Sequence, residues 1–285
     1  MKPSYSHQAL ILAAVTFFSS AYVSAQPETP LNKGGISMKS VEGLNQSGTG
    51  AVLVGGREAR TADWPASFYS ATVGARCSAT LIGPQTLLLA AHCVGDKQDV
   101  AIDFRDKVIT GKCTHASDFR SGTGDRSADY ALCKLADEIS GIQFERLNRD
   151  PTKIILQDKL LLTGYGCTKL PPPGGGPPTG GNDGKFRIGK AKIVSLPGTE
   201  AGDINTVKTK DQVVVCLGDS GGGSYIELPA HRRILVSVTS RVTYTDRVSY
   251  LSSVTTTAAL AFFEKWISEN ENEKICGINF NQRCK

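Results

Sequence analysis

The sequence predicts an all-β fold, a sandwich or barrel, with one α-helix near its C-terminal end. Three observations carry this. From Ala51 onward, short apolar runs rich in β-formers recur, at 67–73, 86–89, 100–104, 154–163, 190–196, 212–215 and 234–239. Gly, Pro, Asp and Asn break them, the spacing of a chain that turns back on itself strand by strand. Turn-forming residues are plentiful, with 30 Gly and 13 Pro. Near the end, Leu260, Phe263, Trp266 and Ile267 recur at helical spacing with Glu264, Lys265 and Glu269 between them. That is one apolar stripe on a surface helix.

The chain has 285 residues, 40% of them apolar, enough for a packed core in one or two domains. Its net charge of +5 is a mild excess without a dense Lys/Arg run, so nucleic-acid binding is not expected. The first residues carry Lys2, an apolar run from Ala9 to Phe18, and the small residues Val23-Ser24-Ala25. This is the pattern of a secretory signal peptide spanning 1–25, too short in its apolar part for a membrane anchor. An extracellular or periplasmic location follows. Residues 26–52 are mostly polar and poor in apolar periodicity, and read as a flexible pro-segment. The stretch 170–181, PPPGGGPP at its centre, reads as an exposed loop.

Export changes how the cysteines read. Cys77, Cys93, Cys113, Cys133, Cys167, Cys216, Cys276 and Cys284 make an even set, which in an exported chain points to four disulfides. Zinc is the competing reading, but no CxxC spacing occurs. No metal or cofactor is called for.

The chemistry centres on Gly218-Asp219-Ser220-Gly221-Gly222. Glycines on both sides of a Ser leave its hydroxyl open and permit a tight turn whose amides can converge on one oxygen. The stretch also satisfies G-x-S-x-G, the nucleophile elbow of α/β-hydrolases. Chain order separates the two enzymes. In α/β-hydrolases the acid and base follow the nucleophile, and here only His231 does, eleven residues on. Two stronger partners precede it. His92 ends the apolar run 87–89, and Asp129 enters the apolar stretch Tyr130-Ala131-Leu132. A carboxylate beside a buried strand needs a partner, and an imidazole N–H serves.

These stretches resemble the chymotrypsin/trypsin family. The likeness is carried by Leu53-Val-Gly-Gly56, Cys77-Ser-Ala-Thr-Leu-Ile82, Ala90-Ala-His-Cys93, Asp129-Tyr-Ala-Leu132, Gly164-Tyr-Gly166 and Cys216-Leu-Gly-Asp-Ser-Gly-Gly222, in the family's order. The resemblance implies two six-stranded antiparallel β-barrels, at about 53–150 and 151–257 within a protease domain spanning 53–285, with the helix and tail after them. It implies a serine endopeptidase with His92, Asp129 and Ser220 as catalytic triad, and the backbone N–H groups of Gly218 and Ser220 as oxyanion hole. Activation is expected by a cut between Val52 and Leu53, the new α-amino group pairing with Asp219. Leu53 departs from the family's usual Ile or Val. Val52 is no site for a trypsin-like activator, and a cut at Lys39 with later trimming is the alternative.

The resemblance also places the specificity pocket. Its floor is Val214, where a trypsin-like enzyme carries Asp, and its walls come from Ser240, Arg241, Val242 and the region of Val248. A buried Val offers no counter-charge to Lys or Arg, and Val242 narrows the slot. Cleavage after small or medium aliphatic residues is expected. Arg241 replaces an aromatic and favours acidic residues further along the substrate, unless it is an ordinary surface Arg. Cys77–Cys93 follows from the family. Cys216 lacks its usual later partner, so Cys167–Cys216 is expected, with Cys113–Cys133 and Cys276–Cys284 by proximity. The partners implied are protein or peptide substrates and a protein inhibitor, for a monomer with no membrane anchor once the signal is removed. The rival readings on the same fold are an inactive pseudoprotease that binds, and an esterase.

Overall fold

The computed structural model of the chain describes residues 35–43, 53–70, 76–119, 126–172, 175–180, 185–271 and 273–285. The signal segment 1–25 and Val52 lie outside the described residues. Among the described residues fourteen strands and one α-helix follow one another: β1 (Ile36–Ser40), β2 (Arg57–Glu58), β3 (Ser67–Ser70), β4 (Ser78–Leu81), β5 (Thr86–Leu89), β6 (Asp99–Phe104), β7 (Lys107–His115), β8 (Ala131–Leu135), β9 (Lys159–Gly164), β10 (Arg187–Ser195), β11 (Thr206–Lys210), β12 (Gly223–Leu228), β13 (Arg232–Thr243), β14 (Val248–Ser253) and α1 (Thr257–Glu269). No helix among them is long and apolar enough to cross a membrane.

The strands form two barrels. The first closes in the order β1-β3-β4-β5-β8-β7-β6. The second runs β11-β14-β13-β12-β9-β10, closed by pairing of β10 with β11, and β2 is appended to β10. Closure removes the exposed edges that an open sheet would carry. The all-β expectation holds, with one difference in the first barrel. It has seven strands rather than six, because β1 comes from the stretch read as a flexible pro-segment. β1 lies antiparallel to β3 and parallel to β6, so the barrel is not wholly antiparallel. Ile36 and Met38 point inward and are fully buried, while Ser37 and Lys39 face out. This alternation places two apolar side chains in the core and leaves two polar ones in water.

Two smaller corrections concern the strands. The run 212–215 contributes only an isolated bridge, Val54 to Val214. Residues 154–158 form a turn before β9, with Ile155 and Leu156 exposed. The boundary between the barrels is also less simple than a split at 150. β2 precedes the first barrel's remaining strands but pairs with Arg187 and Ile188 of the second. Beside and within the stretch read as an exposed loop, Lys169 and Thr179 exchange backbone hydrogen bonds of 2.9 and 3.1 Å.

α1 forms where the sequence expects it. Thr256 caps it, its hydroxyl accepting from the Ala259 N–H at 3.2 Å. Ala259, Phe263, Trp266 and Ile267 face the core. Phe263 packs against Tyr130, ring centroids 5.8 Å apart, so the helix braces the segment that carries Asp129. A buried ion pair joins the barrels. Arg233 on β13 donates from Nε to Glu145 at 2.9 Å, and its guanidinium lies 3.5 Å above the Trp64 ring. Breaking such a pair on one side leaves a buried charge unanswered.

Candidate active site

His92 sits in the 3-10 turn Ala91–Cys93, directly after β5. The Cys77–Cys93 disulfide ties that turn to β4. Asp129 stands just before β8 and is buried. The two residues meet by two hydrogen bonds. The His92 backbone N–H donates to Asp129 Oδ1 at 2.9 Å, and Nδ1 lies 2.6 Å from Oδ2, donating in the tautomer with its proton there. A third donor reaches the same carboxylate, the Ser240 hydroxyl at 2.6 Å from Oδ2. Burial alone would push the Asp129 pKa up. The His92 charge and the hydrogen bonds from His92 and Ser240 outweigh it, and the pKa lies below the usual carboxylate value. The acid therefore stays ionised and holds the imidazole in one orientation.

Ser240 reaches Asp129 because of a bulge. Thr239 pairs with Leu251 and Arg241 with Tyr250, so the register shifts at Ser240. A bulge re-aims one side chain without ending the strand. Ser240 is buried, and its hydroxyl is spent on Asp129 rather than offered to substrate.

The Ser220 turn is fixed from both sides. The Gly221 N–H donates to Thr239 O at 2.8 Å, and the Thr239 N–H to Gly222 O at 2.9 Å. The Ser78 N–H donates to Ser220 O at 2.6 Å, and the Ser78 hydroxyl to Gly218 O at 3.0 Å. Cys93 Sγ lies 3.8 Å from Ser220 O, so the turn abuts the His92 turn. Gly221 must be glycine: its φ is +86°, and a Cβ there would stand 2.0 Å from Ser78 O. The carbonyls of Gly218 and Ser220 thus point back at Ser78. Among the described residues neither amide donates to a backbone carbonyl.

Asp219 is wholly buried, its carboxylate accepting from the N–H groups of Gly166 at 2.6 Å and Cys216 at 2.8 Å. Burial pushes its pKa up to about 7, against the pull of those two amides and of Arg187. The Gly164-Tyr-Gly166 stretch makes this space. A Cβ on Gly164 would lie 1.9 Å from Asp219 Oδ1. Leu53 is buried in the second barrel's core beside Leu160, Leu162 and Val215, an apolar surrounding that accommodates Leu at this position. Lys39, the alternative cut, lies in β1 with neighbours on both edges, a backbone poorly presented to a protease.

The residues expected to form the specificity pocket separate into two groups. Val214 is fully buried in an apolar cluster with Val54, Cys167 and Cys216, against which Leu170, Val242 and Tyr244 pack. Arg241 is not an open cation. It forms an ion pair with Asp203 and lies 4.8 Å above the Tyr250 ring. Its charge is already answered within the chain, which weakens the expected preference for acidic residues. Tyr244 was not evident from the sequence. Its hydroxyl lies 3.7 Å from Cys216 Sγ, and its only sequence signal is an aromatic in the β13–β14 hairpin. All four disulfides join the expected partners: Cys77–Cys93, Cys113–Cys133, Cys167–Cys216 and Cys276–Cys284.

Comparison with known proteins agrees with this architecture. The mouse-brain serine protease neuropsin superposes with a TM-score of 0.55 at 17% identity, covering 76% of this chain and 98% of that one. The human atrial natriuretic peptide-converting enzyme is 26% identical over 219 residues. That match takes in 66% of this chain but only 20% of the relative's length. The trypsin family model matches residues 53–267, from the Leu53 segment to the end of the apolar stripe on α1. The chain belongs to the trypsin family of serine proteases.

Proposed function

We propose that the chain is a secreted serine endopeptidase, made as a zymogen, that hydrolyses peptide bonds through His92, Asp129 and Ser220. The observation that carries this is the buried, ionised Asp129 holding His92 by two hydrogen bonds beside the Ser220 turn. Ser220 Oγ attacks the scissile carbonyl while His92 takes its proton. The amides of Gly218 and Ser220 hold the oxyanion. His92 then protonates the leaving amine, and water releases the acyl group by the same steps. Four disulfides suit an oxidising compartment outside the cytosol.

Activation is a cut between Val52 and Leu53. Two features favour it. Leu53 has a φ of 61°, a left-handed conformation that costs an L-residue about 1–2 kcal/mol and that no longer constrains a chain-terminal residue. Asp219, raised to about 7, is a buried acid suited to an ammonium partner. Val214 is uncharged and lies in an apolar cluster against which Val242 and Tyr244 pack, which supports cleavage after small or medium aliphatic residues.

The test is a peptide-library digest with the cut protein, run beside Ser220→Ala. Cleavage after Ala or Val by the first and none by the second is expected. A strong Arg or Lys preference defeats the specificity reading, and no cleavage above the variant defeats the enzyme.

A further inference from the structure

The strand β1 lies upstream of the proposed cut yet forms part of the barrel wall. Met38, Lys39 and Ser40 pair with Ser70, Tyr69 and Phe68 on one side. Ile36 to Lys39 pair with Val100 to Asp103 on the other. Among the described residues β1 is the link between β3 and β6, and without it each would present a bare edge. Its inward side chains Ile36 and Met38, and Val41 in the turn after it, are core residues at most 1% exposed. Just beyond it Glu42 takes two hydrogen bonds from Arg105, one of them 2.8 Å from Nε. Residues 44–52 separate this unit from Leu53, so cutting there breaks none of these contacts. No disulfide spans the cut either, since all eight cysteines follow Leu53 and are paired with one another.

We infer that the channel between β3 and β6 is a strand-binding site whose occupant is residues 35–43, and that this segment stays seated after activation. The mature protease is then two polypeptides held by a shared barrel wall and the Glu42–Arg105 pair. Strand addition supplies affinity through backbone hydrogen bonds, and pockets for alternate side chains supply selectivity. Here those pockets take Ile36 and Met38, while Ser37 and Lys39 face water. Loss of the segment opens the barrel whose β5 and β8 lead into and out of the His92 and Asp129 turns, so the proposal rests on the protease reading for its functional consequence.

The test makes the cut independent of any natural activator. Residues 48–52 are replaced by the recognition sequence of a sequence-specific protease, in a chain that also carries Ser220→Ala. After cutting, the sample is passed through a sizing column without denaturant, and the peak is weighed by mass spectrometry. Co-elution of the N-terminal fragment with residues 53–285, separated only by denaturant, is expected. An N-terminal fragment that leaves while the remainder keeps its native circular dichroism overturns the proposal.

A second measurement reads the site with an added peptide. A labelled peptide of residues 35–43 is added to cut protein stripped of its own segment by mild urea and returned to buffer. Saturable binding is expected, weakened at least about 100-fold by Met38→Asp, which would place a charge in the core. Equal binding of the two peptides overturns the site. Because the cut is engineered, finding that the natural chain is not cleaved before Leu53 would count against the activation reading and leave the strand site standing.

Discussion

Asp219 gives the uncut chain a pH dependence opposite to that of Asp129, whose pKa is lowered. The Asp219 pKa is raised from 3.8 to about 7, with burial the largest cause. The neutral form is the one the fold favours. Between these two values the folded chain holds a proton that the unfolded chain has lost. Stability therefore falls as pH rises through this window, by about 1.4 kcal/mol per pH unit, and levels off above about 7. The whole difference corresponds to about 4 kcal/mol, and the part between pH 5 and 7 to about 2.5 kcal/mol. The assay is urea unfolding of the uncut Ser220→Ala chain at pH 5, 6, 7 and 8, beside the same chain with Asp219→Asn. The amide does not titrate, so the difference between the two slopes isolates Asp219 from the other acids and from the histidines. Cutting before Leu53 should remove the effect, because a paired ammonium favours the carboxylate. Identical slopes for the two uncut chains would refute the reasoning.

Three further outcomes follow from the same geometry. Ser240→Ala removes a hydrogen bond to the charged Asp129 and should cost about 1.5–3 kcal/mol of stability at neutral pH. It should also lower kcat/KM about tenfold through a looser His92, read by unfolding and by steady-state kinetics. Replacing both Cys167 and Cys216 by Ser opens a loop with a sequence separation of 49 residues and should cost about 4 kcal/mol on the loop-entropy scale, measured by calorimetry. Val242→Gly should widen the slot over Val214 and move the cleavage profile toward larger apolar side chains, with no gain for Lys or Arg because Val214 remains uncharged.

Much of this was legible in the sequence, and for physical reasons. The Ser220 turn shows because its glycines answer local backbone demands that no other residue meets, as at Gly221. The cysteine pairs were readable once a family order was available, although Cys167–Cys216 had to be reached from the lack of a later partner. What escaped depends on contacts between distant segments. β1 offers only Ile36 and Met38 in alternation with Ser37 and Lys39, too short a pattern to distinguish from a linker. It becomes a strand because β3 and β6 supply partners on both edges. The aim of Ser240 depends on a register shift against β14, invisible in the residues of β13 alone. Arg241 read as an open cation because Asp203, which answers it, lies 38 residues away. The run 212–215 looked like a strand because it is apolar. It is buried for another reason: Val214 packs with Val54, Cys167 and Cys216, while Val213 and Val215 enter the second barrel's core.

The central claim is that Ser220 is a nucleophile activated by His92 and held ready once the chain is cut. Labelling with a fluorophosphonate probe tests it most directly, followed by peptide mapping of the modified residue. The cut protein should take up one probe per chain at Ser220, and Ser220→Ala and His92→Ala should take up essentially none. A cut, folded protein that stays unlabelled, or carries the probe on another residue, would contradict the account.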